Sequence, residues 1–122
     1  MDIKVGEYVI SQNRLVIGKI LEIENDDKIL IKTRKVEIYI GKWNIKRHSF
    51  ELIDLIEELD YVNGIKVIGI GTMYNPESGK QEKFLDMISD AGTGVANTIF
   101  NNNIEDIVTR EVFGKNCYRV GE

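Results

Sequence analysis

The sequence predicts a small, mainly β protein, and two observations carry that prediction. The chain has 19 Ile and 10 Val but only 7 Leu and 2 Ala among its 122 residues. Side chains branched at Cβ lose rotamer freedom in a helix and pack well on a pleated sheet. Apolar residues also alternate with polar ones, as in residues 35–40, which is typical of strands with one buried face.

Residues 1–48 are predicted to form a β meander of about four short strands, at residues 5–10, 15–23, 28–33 and 36–40. In the second strand, alternation places Leu15, Ile17, Leu21 and Ile23 on one face. Strands of this length cannot bury both of their faces alone. The meander must therefore curl into a small barrel or pack on the rest of the chain.

Residues 49–122 are predicted to form one short connecting helix and a second β module. Ser49 is a suitable N-cap for a helix over residues 50–58. Further strands are expected at residues 65–74, 81–88, 95–100 and 117–120, with a single helical turn at 109–113. Residues 89–103 are rich in Gly and Asn. They are expected to form a long loop around the short strand, and such loops often carry function.

A short internal echo links the two halves. Residues 6–9 (GEYV) lead to residues 15–18 (LVIG), and residues 59–62 (LDYV) lead through Asn63-Gly64 to residues 66–69 (KVIG). Asn-Gly is a strong hairpin signal, because both positions accept positive φ. A structural repeat would give two similar meanders joined by the helix. Chance similarity over so few residues is the alternative.

The charge of the chain is unevenly distributed. The net charge is −4, which argues against non-specific nucleic-acid binding. Residues 28–48 nevertheless hold seven Lys or Arg against one Glu, a local charge of +6. Basic side chains interleaved with aromatic ones can contact phosphates and stack on bases. The candidate contact residues for nucleic acid or another partner are Lys32, Arg34, Tyr39, Lys42, Trp43, Lys46 and Arg47. The alternative is a solvated strand face, with Tyr39 and Trp43 packed against the second half.

No motif in the sequence indicates catalysis. Cys117 and His48 are the only cysteine and histidine. A Cys-His pair can activate a nucleophile, but no peptidase signature surrounds Cys117, which is expected to be a small buried thiol. The carboxylates between Asp54 and Asp60 fit a solvated helix face better than a metal site. The glycines of residues 69–71 and 92–94 lack the following helix of a phosphate loop. The prediction is therefore a non-enzyme with no metal and no cofactor.

Two segments resemble a known group of proteins. Residues 48–57 (HSFELIDLIE) with 60–64 (DYVNG), and 107–113 (IVTREVF) with 117–120 (CYRV), are similar to small uncharacterised proteins of phages and prophages in clostridial or bacillus-like Gram-positive bacteria. The resemblance implies a viral origin and brings no activity or site residue. The opening meander also resembles SH3-like barrels, in which an acidic-Tyr-Val strand leads into a glycine-bearing strand.

These observations favour a non-catalytic binding protein in the cytoplasm of the host bacterium, with a bacterial or phage protein as its partner. Nucleic-acid binding through residues 28–47 is the first alternative, and an enzyme that uses Cys117 is the second. Exposed strand edges that pair between copies would give a homodimer. Apolar runs span only a few residues, so no membrane segment is expected. Residues 1–7 also lack the apolar stretch of a signal peptide.

Overall fold

The computed structural model describes residues 2–34, 36–88, 96–112 and 118–119, and its mainly β structure confirms the predicted fold class. The strands are β1 (Tyr8–Ser11), β2 (Ile17–Asn25), β3 (Lys28–Lys32), β4 (Glu37–Ile40), β5 (Ile45–Ser49), β6 (Tyr61–Val62), β7 (Ile65–Asn75), β8 (Lys80–Ile88), β9 (Ala96–Phe100), β10 (Asp106–Val108) and β11 (Tyr118–Arg119). Short 3-10 turns lie at Lys42–Asn44, Leu52–Leu55, Asn101–Asn103 and Arg110–Val112.

The strands form two antiparallel sheets that share one topology. The first sheet has the order β4-β3-β2-β1-β5, and the second has the order β11-β10-β6-β7-β8-β9. Each sheet is a four-strand meander whose fifth strand returns, after a 3-10 turn, to pair with the first. The second sheet adds β11 beyond that strand. We call these the first unit (β1–β5) and the second unit (β6–β11). The predicted pseudo-repeat therefore exists at the level of strand order.

The residues that precede the first strand of each unit make equivalent backbone hydrogen bonds. Gly6 and Leu59 both adopt positive φ, at 95° and 75°. The amide of Gly6 donates to the carbonyl of Ile20 at 2.9 Å, and that of Leu59 donates to the carbonyl of Val67 at 2.8 Å. The ladder is irregular just after Ile20 and again just after Val67, where each strand carries a β-bulge. Ile20 and Val67 are thus structurally equivalent.

This equivalence corrects half of the sequence echo. The acidic-Tyr-Val segments match, since Glu7 and Asp60 directly follow the positive-φ residues. The Val-Ile-Gly segments do not match, because the residue of the first unit that is equivalent to Val67 is Ile20 and not Val16. The connection between β1 and β2 is longer than the two-residue turn between β6 and β7, which shifts the register of the second match.

The apolar core has two parts. A smaller cluster within the first unit consists of buried Val9, Ile20, Ile29, Ile31 and Ile45. A larger cluster combines the second unit and the turn Leu52–Leu55 with Ile10 and Ile17 of the first unit. Successive residues of β1 point to opposite faces, so Val9 enters one cluster and Ile10 the other. β1 therefore connects the two units.

The predicted helix over residues 50–58 is wrong in extent. Only Leu52–Leu55 is helical, as one 3-10 turn, and Ile53 and Ile56 are also buried. Apolar side chains point into the core on more than one side of this turn, so no solvated face of a longer helix can form. Phe50, at the start of the predicted helix, is 58% exposed. The N-cap of this turn is Glu51 and not the predicted Ser49, and it makes no side-chain capping bond. Ser49 instead accepts a hydrogen bond from the amide of Glu51 at 3.1 Å, two residues further along the chain.

The structure confirms some of the other sequence predictions and corrects others. The short strand predicted near residues 95–100 and the helical turn near 109–113 are confirmed by β9 and by Arg110–Val112. Ile20 is buried because it points to the opposite face of β2 from Ile17, into the smaller cluster. Leu21 is exposed because the bulge after Ile20 shifts the alternation of the strand from that point on. Strands β5 and β10 were not predicted. Residues 89–95 of the expected loop lie outside the described residues. The division at residues 48 and 49 stays a prediction.

Within the part of the chain that the structure describes, no helix is long and apolar enough to cross a membrane.

We expect Leu59→Gly to stabilise the protein. A leucine at positive φ carries a steric cost of roughly 1–2 kcal/mol, which glycine removes, and the side chain is half-exposed, so little packing is lost. The entropy of glycine in the unfolded chain offsets part of this gain, leaving about 0.5 kcal/mol. Urea denaturation measures the change. Leu15→Gly, at a similarly exposed residue without positive φ, should destabilise by roughly 0.5–1 kcal/mol. Equal effects of the two changes would refute the strain at Leu59.

Candidate partner-binding surface

The structure does not bring the seven predicted contact residues together. The strand order places β4 at one edge of the first sheet and β5 at the opposite edge. The predicted residues fall into three groups along this path: Lys32, Arg34 and Tyr39 on or beside β3 and β4, Lys42 and Trp43 in the 3-10 turn, and Lys46 and Arg47 on β5. A single basic strip is therefore a feature of the sequence rather than of the folded surface.

Lys46 and Arg47 face a carboxylate of the second half. Their cationic nitrogens lie 3.3 Å and 3.7 Å from Oε2 of Glu57. Both side chains are partly exposed, while that of Glu57 is mostly covered. These two residues thus belong to an ion-pair network between the units, which leaves less of their charge for a phosphate.

Arg14 is the centre of that network. It lies in the turn between β1 and β2, adopts positive φ at 61°, and is only 1% exposed. Its guanidinium makes a two-pronged contact with Asp60: Nη1 donates to Oδ1 at 2.9 Å and Nη2 donates to Oδ2. Nη1 also donates to Glu111 at 2.7 Å, and the hydroxyl of Thr109 donates to the carbonyl of Arg14 at 2.9 Å. One residue of the first unit is thus held by three residues of the second half.

The carboxylate of Asp60 is fully buried and fully hydrogen-bonded. Besides Arg14, it accepts from the amide of Glu57 at 2.8 Å and from the amide of Arg110 at 3.1 Å. A buried charge is tolerated only when it is paired and its lone pairs are satisfied, and Asp60 meets both conditions. Burial lowers the pKa of Arg14, but the hydrogen bond and charge of Asp60 outweigh it, so the net shift is upward and Arg14 stays charged.

Glu57 forms ion pairs with the other cationic side chains of this network. Its Oε1 accepts from Nη2 of Arg110 at 2.8 Å. Its Oε2 lies 3.2 Å from Nε of Arg14 in a geometry that makes an ion pair but no aligned hydrogen bond. Burial by itself raises the pKa of Glu57, yet the hydrogen bond from Arg110 and the charges of Arg14 and Lys46 hold it below the ordinary value. The cluster therefore links the two units electrostatically.

Trp43 and Tyr39 define a separate, exposed surface. The side chain of Trp43 is 75% exposed and that of Tyr39 is 50% exposed. Neither packs against the second half, which removes that alternative. Lys42–Asn44 forms a 3-10 turn, so Trp43 and the buried Ile45 do not share a strand face. The indole lies over Gly41, where any Cβ atom would overlap it.

The tip of the β2–β3 hairpin reaches both aromatic residues. The ammonium of Lys28 lies 5.0 Å from the ring centroid of Tyr39, within cation–π range. The amide of Lys42 donates to the carbonyl of Asp26 at 2.6 Å. A concavity of about 360 Å³ lies between the hairpin tip and the turn, and it is lined by Asp26, Asp27, Lys42 and Trp43. We call this concavity, together with Tyr39, the aromatic surface.

The second unit has a concavity in the equivalent place. It also lies between the tip of a long hairpin, β7–β8, and the 3-10 turn before the fifth strand. Its volume is about 420 Å³, and its lining is polar: Glu51, Ser78, Lys80, Gln81, Glu82, Lys83 and Asn102. Asn102 is the middle residue of its turn, as Trp43 is of the other. The repeat thus places a concavity at the same topological position in each unit, and the aromatic side chain occurs in the first unit.

His48 and Asp54, which the sequence analysis considered for catalysis and metal binding, have other partners in the structure. His48 Nδ1 lies 2.8 Å from the buried carboxylate of Glu7, which also accepts from the amide of Lys4 at 2.7 Å. Cys117, the other member of the predicted Cys-His pair, lies outside the described residues. Asp54 accepts from Ser49 and Lys83, at 2.5 Å and 3.2 Å. Among the residues that the structure describes, no group of three His, Cys, Asp or Glu could hold a metal ion.

Comparison of the chain with protein-family models, with curated proteins and with solved structures gives no match in any of the three.

We expect Asp60→Asn to destabilise the protein by roughly 3–5 kcal/mol, because it leaves Arg14 buried beside a neutral group with two donors of its own. Urea denaturation followed by circular dichroism measures this. The control is Glu111→Gln, at a partly exposed partner of the same arginine, which should cost less than about 1 kcal/mol. A loss at Asp60 no larger than that at Glu111 would contradict the central place of the buried pair.

The lowered pKa of Glu57 predicts a pH dependence. A carboxylate whose folded pKa lies below its ordinary value of 4.5 stabilises the fold above that pH, and this stabilisation is lost as the pH falls through the folded pKa. Glu57→Gln should therefore flatten the fall in unfolding free energy below about pH 4.5. The control is Glu58→Gln, at an exposed neighbour. The idea fails if both variants keep the wild-type slope.

Proposed function

We propose that this chain is a non-catalytic binding protein that engages a protein partner through the aromatic surface of its first unit. The observation that carries the proposal is the 75% exposure of Trp43, the only tryptophan in the chain, held over Gly41 beside a concavity. Tryptophan and tyrosine are enriched among the residues that dominate binding energy at protein interfaces. An exposed aromatic pair of this kind is therefore a suitable anchor.

The burial of the main ion pair between the units supports the same proposal. Among the described residues, the most deeply buried ionisable groups are Arg14 and Asp60. They pair with each other, and Asp60 also accepts hydrogen bonds from backbone amides, an arrangement suited to joining the units. A catalytic group needs a tuned protonation state and access to a substrate, and these two groups are closed to solvent. The SH3-like and phage resemblances stay proposals, and they place the partner in the cytoplasm of an infected or lysogenised Gram-positive bacterium.

The test is affinity capture from a Gram-positive lysate with three baits: the wild-type chain, Trp43→Ala and Tyr74→Ala. Tyr74 is 54% exposed on the second unit, so its removal matches the loss of an exposed aromatic ring. We expect the wild type and Tyr74→Ala to retain the same partner protein and Trp43→Ala to lose at least about tenfold, as hot-spot truncations of about 1.4 kcal/mol or more do. Capture that is insensitive to Trp43 would sink the proposal.

Nucleic-acid binding remains the second candidate, and one observation favours it. Lys28, Lys32 and Tyr39 share the outer face of β3 and β4, since Tyr39 lies opposite Leu30 in the ladder. The face joins cations with a ring on which a base can stack.

Fluorescence anisotropy with labelled single-stranded DNA at several salt concentrations tests the nucleic-acid candidate. Phosphate contacts predict affinity that falls steeply with salt, and Lys32→Glu with Arg34→Glu should abolish binding while the circular dichroism spectrum is kept. Unchanged affinity in that double variant would reject this face.

A further inference from the structure

We infer that the concavity beside Trp43 accepts a cationic side chain, arginine or lysine, from an extended segment of the partner protein. This inference rests on the proposed function and adds the chemistry of the ligand. The concavity is lined by one exposed indole, two carboxylates, Asp26 and Asp27, and one ammonium group, that of Lys42. A guanidinium or ammonium group can stack on the face of an indole and pair with a carboxylate beside it.

The charges around Trp43 leave one carboxylate available. Glu24 pairs with Lys28 at 3.2 Å, and Asp26 lies 3.8 Å from the ammonium of Lys42. The side chain of Asp27 has no hydrogen-bond or ion-pair partner among residues 2–34, 36–88, 96–112 and 118–119. Three carboxylates thus face two local cations, and Asp27 is the surplus charge beside the indole. A cation that enters the concavity neutralises the charge of Asp27.

The same charges disfavour a phosphate at this position. A nucleic acid that stacked a base on Trp43 would bring its backbone close to Asp26 and Asp27, and like charges at short range repel. The equivalent concavity of the second unit has two lysines beside two glutamates, and Asn102 stands in place of the indole. It therefore lacks the stacking group, and the repeat provides an internal comparison within one chain.

Trp43 makes the site directly observable, because the intrinsic tryptophan fluorescence of the chain comes from this residue. The probes are three synthetic Gly-Ser peptides of about 11 residues, with arginine, citrulline or glutamate at the centre. Citrulline keeps the planar shape of arginine without its charge. We expect the arginine peptide to shift the emission saturably and the citrulline and glutamate peptides to bind at least about threefold more weakly, the size expected for an exposed cation–π contact.

The matched variants are Asp27→Asn and Glu105→Gln. Each removes one exposed carboxylate and changes the net charge by the same amount, but Glu105 belongs to the second unit and does not line the concavity beside Trp43. Asp27→Asn should weaken the arginine peptide by about threefold, as expected for an exposed ion pair, and Glu105→Gln should leave it unchanged. An equal loss in both variants would reduce the effect to long-range charge and overturn the inference.

The remaining outcomes separate this inference from the proposed function. Equal binding of the arginine and citrulline peptides overturns the cation site. So does an oligo-thymidine that quenches Trp43 and binds more tightly to Asp27→Asn than to the wild type. If no peptide shifts Trp43 while lysate capture still depends on Trp43, the inference is overturned and the proposed function stands. If the arginine peptide binds at Trp43 as expected but capture ignores Trp43, the cation site stands and the proposed function fails.

Discussion

The buried pair of Arg14 and Asp60 is the constraint on which the arrangement of the two units depends. Apolar contacts between the units are non-directional, whereas a two-pronged guanidinium–carboxylate contact fixes both distance and orientation. Arg14 also bonds Glu111 and, through its backbone carbonyl, Thr109. These contacts join the β1–β2 turn to the segments that flank β6 and β10. The desolvation cost of burying the charges is offset only because every oxygen of Asp60 has a donor.

The sequence was informative where a local rule decides the structure. Cβ-branched residues at alternate positions indicated strands, and Asn63-Gly64 marked the two-residue turn between β6 and β7. Long-range effects were not readable. The bulge after Ile20 shifted the predicted alternation of β2, and burial between two sheets limited the predicted helix to Leu52–Leu55. No signal in the sequence marks Arg14 as buried, because its partners lie 46 and 97 residues away.

For the candidate site, the sequence identified the right residue types but not their roles. The interleaved basic and aromatic residues 32–47 divide in the fold between two tasks. Lys46 and Arg47 support the interface between the units through Glu57, while Trp43 and Tyr39 are free of the core. Two acidic residues from the β2–β3 hairpin, which the sequence assigned only to a turn, complete the surface around Trp43. Proximity along the chain predicted one basic strip, and the sheet order dispersed it.

The closure of each sheet by its own fifth strand has a consequence for biosynthesis. All strands of the first unit lie between Tyr8 and Ser49, so its ladder can be completed while later residues are still being translated. Asp60, the principal partner of Arg14, emerges from the ribosome only after that point. In the folded protein the second unit covers the apolar side chains of Ile10 and Ile17. The charge partner of Arg14 and the residues that cover Ile10 and Ile17 are therefore all synthesised after every strand of the first sheet.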